Sequence, residues 1–92
     1  MVDRRSAHAF GAVLRRHRRA AGFTQEVLAE RAGLSWHTIS ALECGVRRPG
    51  LDTLLHLGVG LEKRPGFLLD ETAVLLAGPG GASPLPVGRS TS

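Results

Sequence analysis

The sequence predicts an all-α domain, and three observations favour this fold class. Aromatic and β-branched residues, which prefer strands, are scarce, and the chain contains three Phe, one Trp and no Tyr. Residues that start and end helices recur in pairs, as Thr24 and Gly33 do. The length of 92 residues allows one domain with a small core.

The first helix is predicted from about Ala7 to Ala21. Ser6 can accept a hydrogen bond from the free N–H groups at its start, and Gly22 can adopt the left-handed conformation that ends it. The residues at helical spacing on its inward side are Phe10, Leu14, Arg18 and Ala21. An arginine on an apolar stripe is costly unless it is paired.

Two short helices follow, separated by a three-residue turn. Thr24 caps a second helix predicted at Gln25–Ala32, and Gly33 permits the left-handed turn after it. Ser35 caps a third helix, predicted from Trp36 to Glu43 or one residue beyond. A unit of this kind can present its second helix to the major groove of DNA.

The C-terminal half is predicted to add two helices. Leu51 opens the fourth, and Pro65 begins a short fifth. The leucines between Leu61 and Leu76 exceed what a minimal core needs, so they indicate either a dimer surface or completion of the core. The predicted divisions are an N-terminal arm and helix start at 1–9, a helix-turn-helix domain at 10–69, a helical extension with a dimer contact at 70–77 and a disordered tail at 78–92.

Charge is distributed unevenly along the chain. The net charge is +4, and residues 1–49 hold nine arginines against four acidic residues, whereas residues 50–92 hold three basic and four acidic ones. This asymmetry indicates an anionic partner for one end of the domain. A single Cys excludes an intramolecular disulfide, and no segment has the length of a signal peptide or a membrane span. We therefore expect a cytoplasmic protein with no membrane partner.

Enzymatic activity is not expected. The four His and one Cys lack the spacing of metal ligands, and the chain has no glycine-rich phosphate loop and no convergent acids. A chain this short also has little room for a cleft. The sequence therefore predicts no metal and no cofactor.

A series of residues, in order and spacing, matches one known pattern. They include Arg18, Gly22-Phe23-Thr24-Gln25, Leu28-Ala29, Ala32-Gly33-Leu34-Ser35, Ile39-Ser40, Glu43-Cys44-Gly45 and Arg48-Pro49. Over residues 10–69 the chain thereby resembles the Cro/phage-repressor-like helix-turn-helix family, also called XRE-type. The resemblance implies a compact five-helix, lambda-repressor-like domain whose third helix reads double-stranded DNA.

The third helix supplies the candidates for reading bases. Ile39 and Leu42 point towards the core, and the opposite face lacks a large apolar side chain. His37 can bond to purine acceptors. For Trp36, which stands where the family often has Gln, a DNA contact and packing on the first helix both stay open. The base-reading candidates are Trp36, His37, Thr38, Ser40 and Ala41.

Contacts with the DNA backbone are expected from a second set of residues. Gln25 matches the family position that contacts a phosphate, at a helix start where free N–H groups favour anions. Arg4 and Arg5 are expected in an N-terminal arm. The candidates for backbone contacts are Gln25, Ser35, Arg47, Arg48, Arg15 and Arg19. In similar domains the positions of Arg18 and Glu43 form an ion pair, which we expect here as a structural feature.

The fold, the charge distribution and the candidate residues together predict a function. The sequence predicts a sequence-specific DNA-binding transcriptional regulator, a repressor, that binds an inverted-repeat operator as a homodimer and is associated with the nucleoid. Two alternatives stay open. One is an antitoxin with the same fold whose tail binds a small toxin protein. The other is a protein-interaction module that has kept the fold and lost DNA binding.

Overall fold

The computed structural model describes residues 4–78, and these form five α-helices without a strand among them. The helices are α1 (Arg4–Ala20), α2 (Gln25–Ala32), α3 (Trp36–Glu43), α4 (Leu51–Leu61) and α5 (Pro65–Ala77). Helix α1 packs against α3 and α5, and α2 packs against α3 and α4. The predicted all-α, five-helix fold is confirmed. Within this range no helix has the length and apolar character needed to cross a bilayer.

All five helices contribute to one core. Its largest fully buried side chains are Val13, Leu14, Leu28, Ile39, Leu42, Leu57 and Leu68. Helix α3 therefore has one side held against the other helices, because Ile39 and Leu42 are both 0% exposed.

Local signals set the bounds of α2 and α3. The Thr24 hydroxyl accepts a hydrogen bond from the backbone N–H of Val27 at 3.0 Å, and Gly33 ends α2 with a φ of 70°. The Ser35 hydroxyl accepts from the backbone N–H of Thr38 at 3.1 Å. Each cap satisfies an N–H group that has no partner within its own helix.

Gly11 lets α1 approach the end of α3 closely. A Cβ atom added at this position would lie 2.8 Å from the carbonyl oxygen of Glu43, which is closer than real Cβ contacts. The missing side chain therefore lets the two backbones lie against each other, and this brings the charged residues of α1 within reach of α3.

Two predictions about α1 are wrong. The helix begins at Arg4, so Ser6 lies inside it rather than at its cap, and Arg4 and Arg5 are helical rather than part of an arm. The physical reason is tertiary, because Arg4 lines a groove together with residues of the loop after α3, so the segment before Ala7 lies against the domain instead of leaving it as an arm. At the other end Ala21 is exposed and lies beyond the helix.

Helix α5 is longer than the short helix that the sequence predicts. It continues without a break to Ala77, so residues 70–77 belong to it. Leu61 and Leu68 are buried and belong to the core rather than to a dimer surface. The large apolar side chains that α5 leaves exposed are Phe67, Leu69, Val74, Leu75 and Leu76. Apart from Gly78, the predicted tail at 78–92 lies outside the described residues.

Candidate nucleic-acid interface

A buried ion pair joins α1 to α3. Arg18 donates from Nε to Glu43 Oε2 at 2.6 Å and from Nη2 to Glu43 Oε1 at 3.0 Å. Its Nη1 donates to the carbonyl oxygen of Phe23 at 2.8 Å. The side chain of Glu43 is 0% exposed and that of Arg18 is 10% exposed. The two residues that the sequence pairs thus lie together and fix the last residue of α3 to α1.

Hydrogen bonds keep this pair ionised. Burial opposes the ionisation of Glu43, but hydrogen bonds from Arg18, Gln25 and Arg15 outweigh it and hold the pKa of the carboxyl below its usual value. The hydrogen bond with Glu43 in turn raises the pKa of the Arg18 guanidinium above its usual value. The contact is therefore charge-assisted at neutral pH.

The same carboxylate orders the N-terminal ends of α2 and α3. Gln25 Nε2 donates to Glu43 Oε1 at 2.9 Å, and Trp36 Nε1 donates to Gln25 Oε1 at 3.1 Å. An ionised carboxylate only accepts and an indole N–H only donates, so the chemistry fixes which end of the Gln25 amide faces each partner. A chain of hydrogen bonds thus runs from Arg18 to Trp36.

Helix α3 presents its remaining side chains outwards. Trp36 is 42% exposed, and its ring lies 4.8 Å from that of His37 at an angle of 57°. His37 is exposed, and Ser40 and Ala41 are half-buried. Thr38 is held closer to the helix start, because its hydroxyl lies 3.0 Å from that of Ser35. The five base-reading candidates therefore lie on a helix whose other side is buried.

A band of basic side chains runs along α1 to the loop after α3. One cavity of about 490 Å³ is lined by residues of both, including Arg4, His8, Arg47 and Arg48. A second cavity of about 410 Å³ is lined by His8, Ala12, Arg15, Arg16, Arg19 and Glu43. Because His8 lines both cavities, they adjoin each other. We call the residues Arg4, His8, Arg15, Arg19, Arg47 and Arg48 the basic band.

Arg15 belongs to this band and also touches the buried pair. Its Nε lies 3.4 Å from Glu43 Oε1, and its side chain is 43% exposed. The contact is long, since strong charge-assisted hydrogen bonds are about 2.7–2.9 Å. Arg15 is therefore the more weakly bound of the two arginines at Glu43, and part of its side chain is open to solvent.

The chain is similar in sequence and in structure to known helix-turn-helix proteins. Residues 9–62 match the model of a helix-turn-helix domain. The chain belongs to the helix-turn-helix family. It is 35% identical to the restriction-modification controller protein C.AhdI from Aeromonas hydrophila, over 67% of this chain and 94% of that chain, with a TM-score of 0.66. It is 30% identical to the clp gene regulator ClgR from Corynebacterium glutamicum, over 78% of this chain and 77% of that one, with a TM-score of 0.73.

No curated protein sequence matches the chain. The family match and the regulators among its structural neighbours make it a DNA-binding regulator of the XRE-like type. In this helix-turn-helix protein the motif consists of α2, the turn at residues 33–35 and α3. Helix α3 is the second helix of the motif, the position that enters the major groove in such units.

Other basic residues of the helix-turn-helix protein contact groups on neighbouring helices. Arg16 and His17 of α1 contact the carboxylate of Glu71 on α5, at 2.7 Å and 2.8 Å. Arg31 donates to the carbonyl oxygen of Gly60 at 2.9 Å and lies over the ring of Phe23. These side chains therefore link α1 to α5 and α2 to α4.

Sequence reasoning missed two features of this site. The first is His8, which a stripe continued backwards from Arg15 and Arg19 at helical spacing would have included. The second is the bond between Gln25 and Trp36. A signal for it exists, because an indole N–H needs an acceptor when its ring is partly buried and Gln is a residue that can supply one.

Proposed function

We propose that this protein is a sequence-specific transcriptional repressor that binds an inverted-repeat operator as a homodimer, on the nucleoid in the cytoplasm. The outer face of α3 carries the proposal. On the inner side of α3, Ile39 and Leu42 are 0% exposed. On its outer side, His37 is exposed, and Ser40 and Ala41 are half-buried. A short helix held on one side and lined by small or polar groups on the other fits the major groove.

Two kinds of group support contacts with the DNA backbone. The basic band supplies arginines, of which Arg47 and Arg48 are exposed directly after α3. At the start of α2, Gln25 gives one amide N–H to Glu43, and its amide nitrogen carries a second that can reach a phosphate. The Ser35 hydroxyl accepts from the N–H of Thr38 and shares a hydrogen bond with the Thr38 hydroxyl, and when Thr38 is the donor in that bond the Ser35 proton is left for a phosphate. These contacts would position α3 without reading sequence.

The homodimer is supported by the outer side of α5. Three consecutive residues near its end, Val74, Leu75 and Leu76, are 65%, 44% and 43% exposed. Contiguous exposed apolar surface commonly marks a protein–protein interface. One reading helix makes few base contacts, so a dimer on two half-sites about one DNA turn apart would supply the affinity that a repressor needs.

Footprinting on the promoter of the protein's own gene tests DNA binding. We expect a protected inverted repeat and an affinity that falls with salt, with a log–log slope of about −0.9 for each neutralised phosphate. Arg47→Gln and Arg48→Gln should each make the slope less steep by about 0.9 per half-site. Arg64→Gln, which changes an exposed arginine outside the basic band, is the matched control and should leave it unchanged.

Absence of protection at any site at low salt would contradict the proposal. It would favour the alternative in which the fold serves protein interaction alone. A protected site combined with activation of transcription would keep the DNA-binding function and refute repression.

Sedimentation equilibrium tests the dimer. We expect the wild type to be dimeric at the concentrations at which it protects DNA, and Val74→Glu or Leu75→Glu to shift it towards monomer. Both side chains are exposed, so the variants should fold. Leu51→Glu is the matched control, since Leu51 is 72% exposed on α4. Monomeric wild-type protein bound to its operator would refute the dimer.

A further inference from the structure

The indole N–H of Trp36 already donates a hydrogen bond within the protein. It donates to Gln25 Oε1 at 3.1 Å. An indole has this single donor and no acceptor. The part of Trp36 that is left for DNA is therefore its apolar ring, and the residue is 42% exposed.

The partner of the indole is itself held in place. The Gln25 amide donates to Glu43 Oε1, and Arg18 donates two hydrogen bonds to the same carboxylate, which is fully buried. Turning the amide over would place its oxygen against the carboxylate and its NH₂ group against the indole N–H. Both contacts would be repulsive, so the orientation of Trp36 is set before DNA arrives.

His37 supports the ring from a second side. The centroid of its imidazole lies 4.8 Å from that of the indole, at an angle of 57°, so the two rings are within the distance at which aromatic pairs interact. Trp36 and His37 are the first two residues of α3. Together they place an oriented apolar surface at the end of the helix that enters the groove.

One group on the base edges of the major groove suits such a surface. Thymine displays its C5-methyl there, whereas the other edge groups in the groove donate or accept hydrogen bonds. We propose that Trp36 reads the C5-methyl group of a thymine in each half-site, and this inference rests on the DNA-binding function proposed above. Gln25 and Glu43 act in it as positioning residues, which orient the indole without touching the base.

A hydrogen-bonding role for Trp36 is disfavoured by the same geometry. To donate to a base, the indole would have to leave Gln25 and lose a bond that it already has. Stacking of the ring on a deoxyribose is the remaining alternative, and it would not depend on which base is present.

Deoxyuridine distinguishes these two modes, because it differs from thymidine only in lacking the methyl group. The probe is a duplex selected by the wild-type protein from a random library at low salt, in which each thymine is then replaced singly by deoxyuridine. We expect one position in each half-site at which affinity falls about fourfold, as for one buried methyl group, and about 15-fold when both half-sites are changed. The other positions should show no loss.

Two variants assign the effect to Trp36. Trp36→Gln should bind the thymidine and deoxyuridine duplexes equally at that position. Trp36→Phe keeps an apolar ring but loses the hydrogen bond to Gln25 that orients it, so it should retain a weaker preference for thymidine. Far-ultraviolet circular dichroism and the salt slope of binding should be unchanged in both variants, which would show that the fold and the backbone contacts are intact.

The binding measurements distinguish a failure of methyl reading by Trp36 from a failure of DNA binding itself. Equal binding of all deoxyuridine duplexes by the wild type, with the salt slope preserved, would overturn the inference and leave the DNA-binding function standing. A thymidine preference that persists in Trp36→Gln would assign methyl reading to another residue and would also overturn it. Failure to select any duplex would overturn the proposed function together with the inference.

Discussion

Replacing Glu43 with glutamine should strongly destabilise the fold. Glutamine has the same shape but no charge, so Arg18 would be left with an uncompensated positive charge at a site where it is 10% exposed. Removing one member of a buried ion pair costs about 3–5 kcal/mol in the free energy of unfolding. Small domains have about 5–15 kcal/mol in total, so the loss is a large part of the whole.

Urea and thermal unfolding followed by circular dichroism measure this loss. For a domain of this size each 1 kcal/mol shifts the melting temperature by roughly 4–8 °C, so a loss of 3 kcal/mol corresponds to roughly 12–24 °C. The denaturant dependence of the unfolding free energy should stay the same, because the surface exposed on unfolding is unchanged.

Two control variants distinguish the loss of the buried ion pair between Arg18 and Glu43 from the loss of a charge elsewhere on the protein. Arg16→Gln removes an exposed pair with Glu71 and should leave the urea midpoint nearly unchanged, since solvent screens that contact. The double variant Arg18→Met with Glu43→Leu leaves no buried charge and should recover much of the loss. A Glu43→Gln protein as stable as the wild type, or a double variant no better than Glu43→Gln, would refute the reasoning.

Three further predictions concern stability and can be checked by the same unfolding measurements. The pKa of Glu43 is lower in the folded protein than in the unfolded chain, where it is about 4.3. The Glu43 carboxylate therefore adds to the free energy of unfolding above pH ~4.3, and this stabilisation is lost as the pH falls through the folded pKa. A wild type that keeps its full advantage over Glu43→Gln well below this range would contradict that sign. Gly11→Ala should cost about 1–3 kcal/mol, because the new Cβ meets the backbone of α3, whereas Gly66→Ala meets no atom within 4 Å and should stabilise by about 0.5–1 kcal/mol; equal effects would refute the close approach. His56→Ala removes the ring that lies 2.9 Å from the carbonyl oxygen of Ala32 and should cost about 0.5–1.5 kcal/mol, and a protein of unchanged stability would show that this contact contributes nothing.

The sequence predicted the helices best where short-range chemistry decides. The bounds of α2 follow from Thr24 and Gly33, and Ser35 sets the start of α3, because a side-chain cap or a left-handed glycine acts within three residues. The start of α1 was predicted wrongly, since the position of Arg4 beside the loop after α3 is a tertiary relation that no local pattern shows. The unbroken course of α5 to Ala77 was also not predicted.

The candidate site shows the same division. The position of Arg18 on an apolar stripe indicated that it needed a partner, and a resemblance to known domains pointed to Glu43. The need of the Trp36 indole for an acceptor is visible in the sequence, but the choice of Gln25 as that acceptor depends on how α2 and α3 are placed in space. Whether Leu61 and Leu68 serve the core or an interface could likewise be decided only by packing.

The place of Glu43 has a consequence for changing what the protein reads. It is the last residue of α3, and its partners Arg18, Arg15 and Gln25 all lie on other helices. The anchor of α3 is thus separate from His37, Ser40 and Ala41, the positions that the proposed function turns towards the groove. New side chains at Ser40 and Ala41 leave that anchor in place, so the domain is suited to redesign and to evolutionary drift of its operator preference.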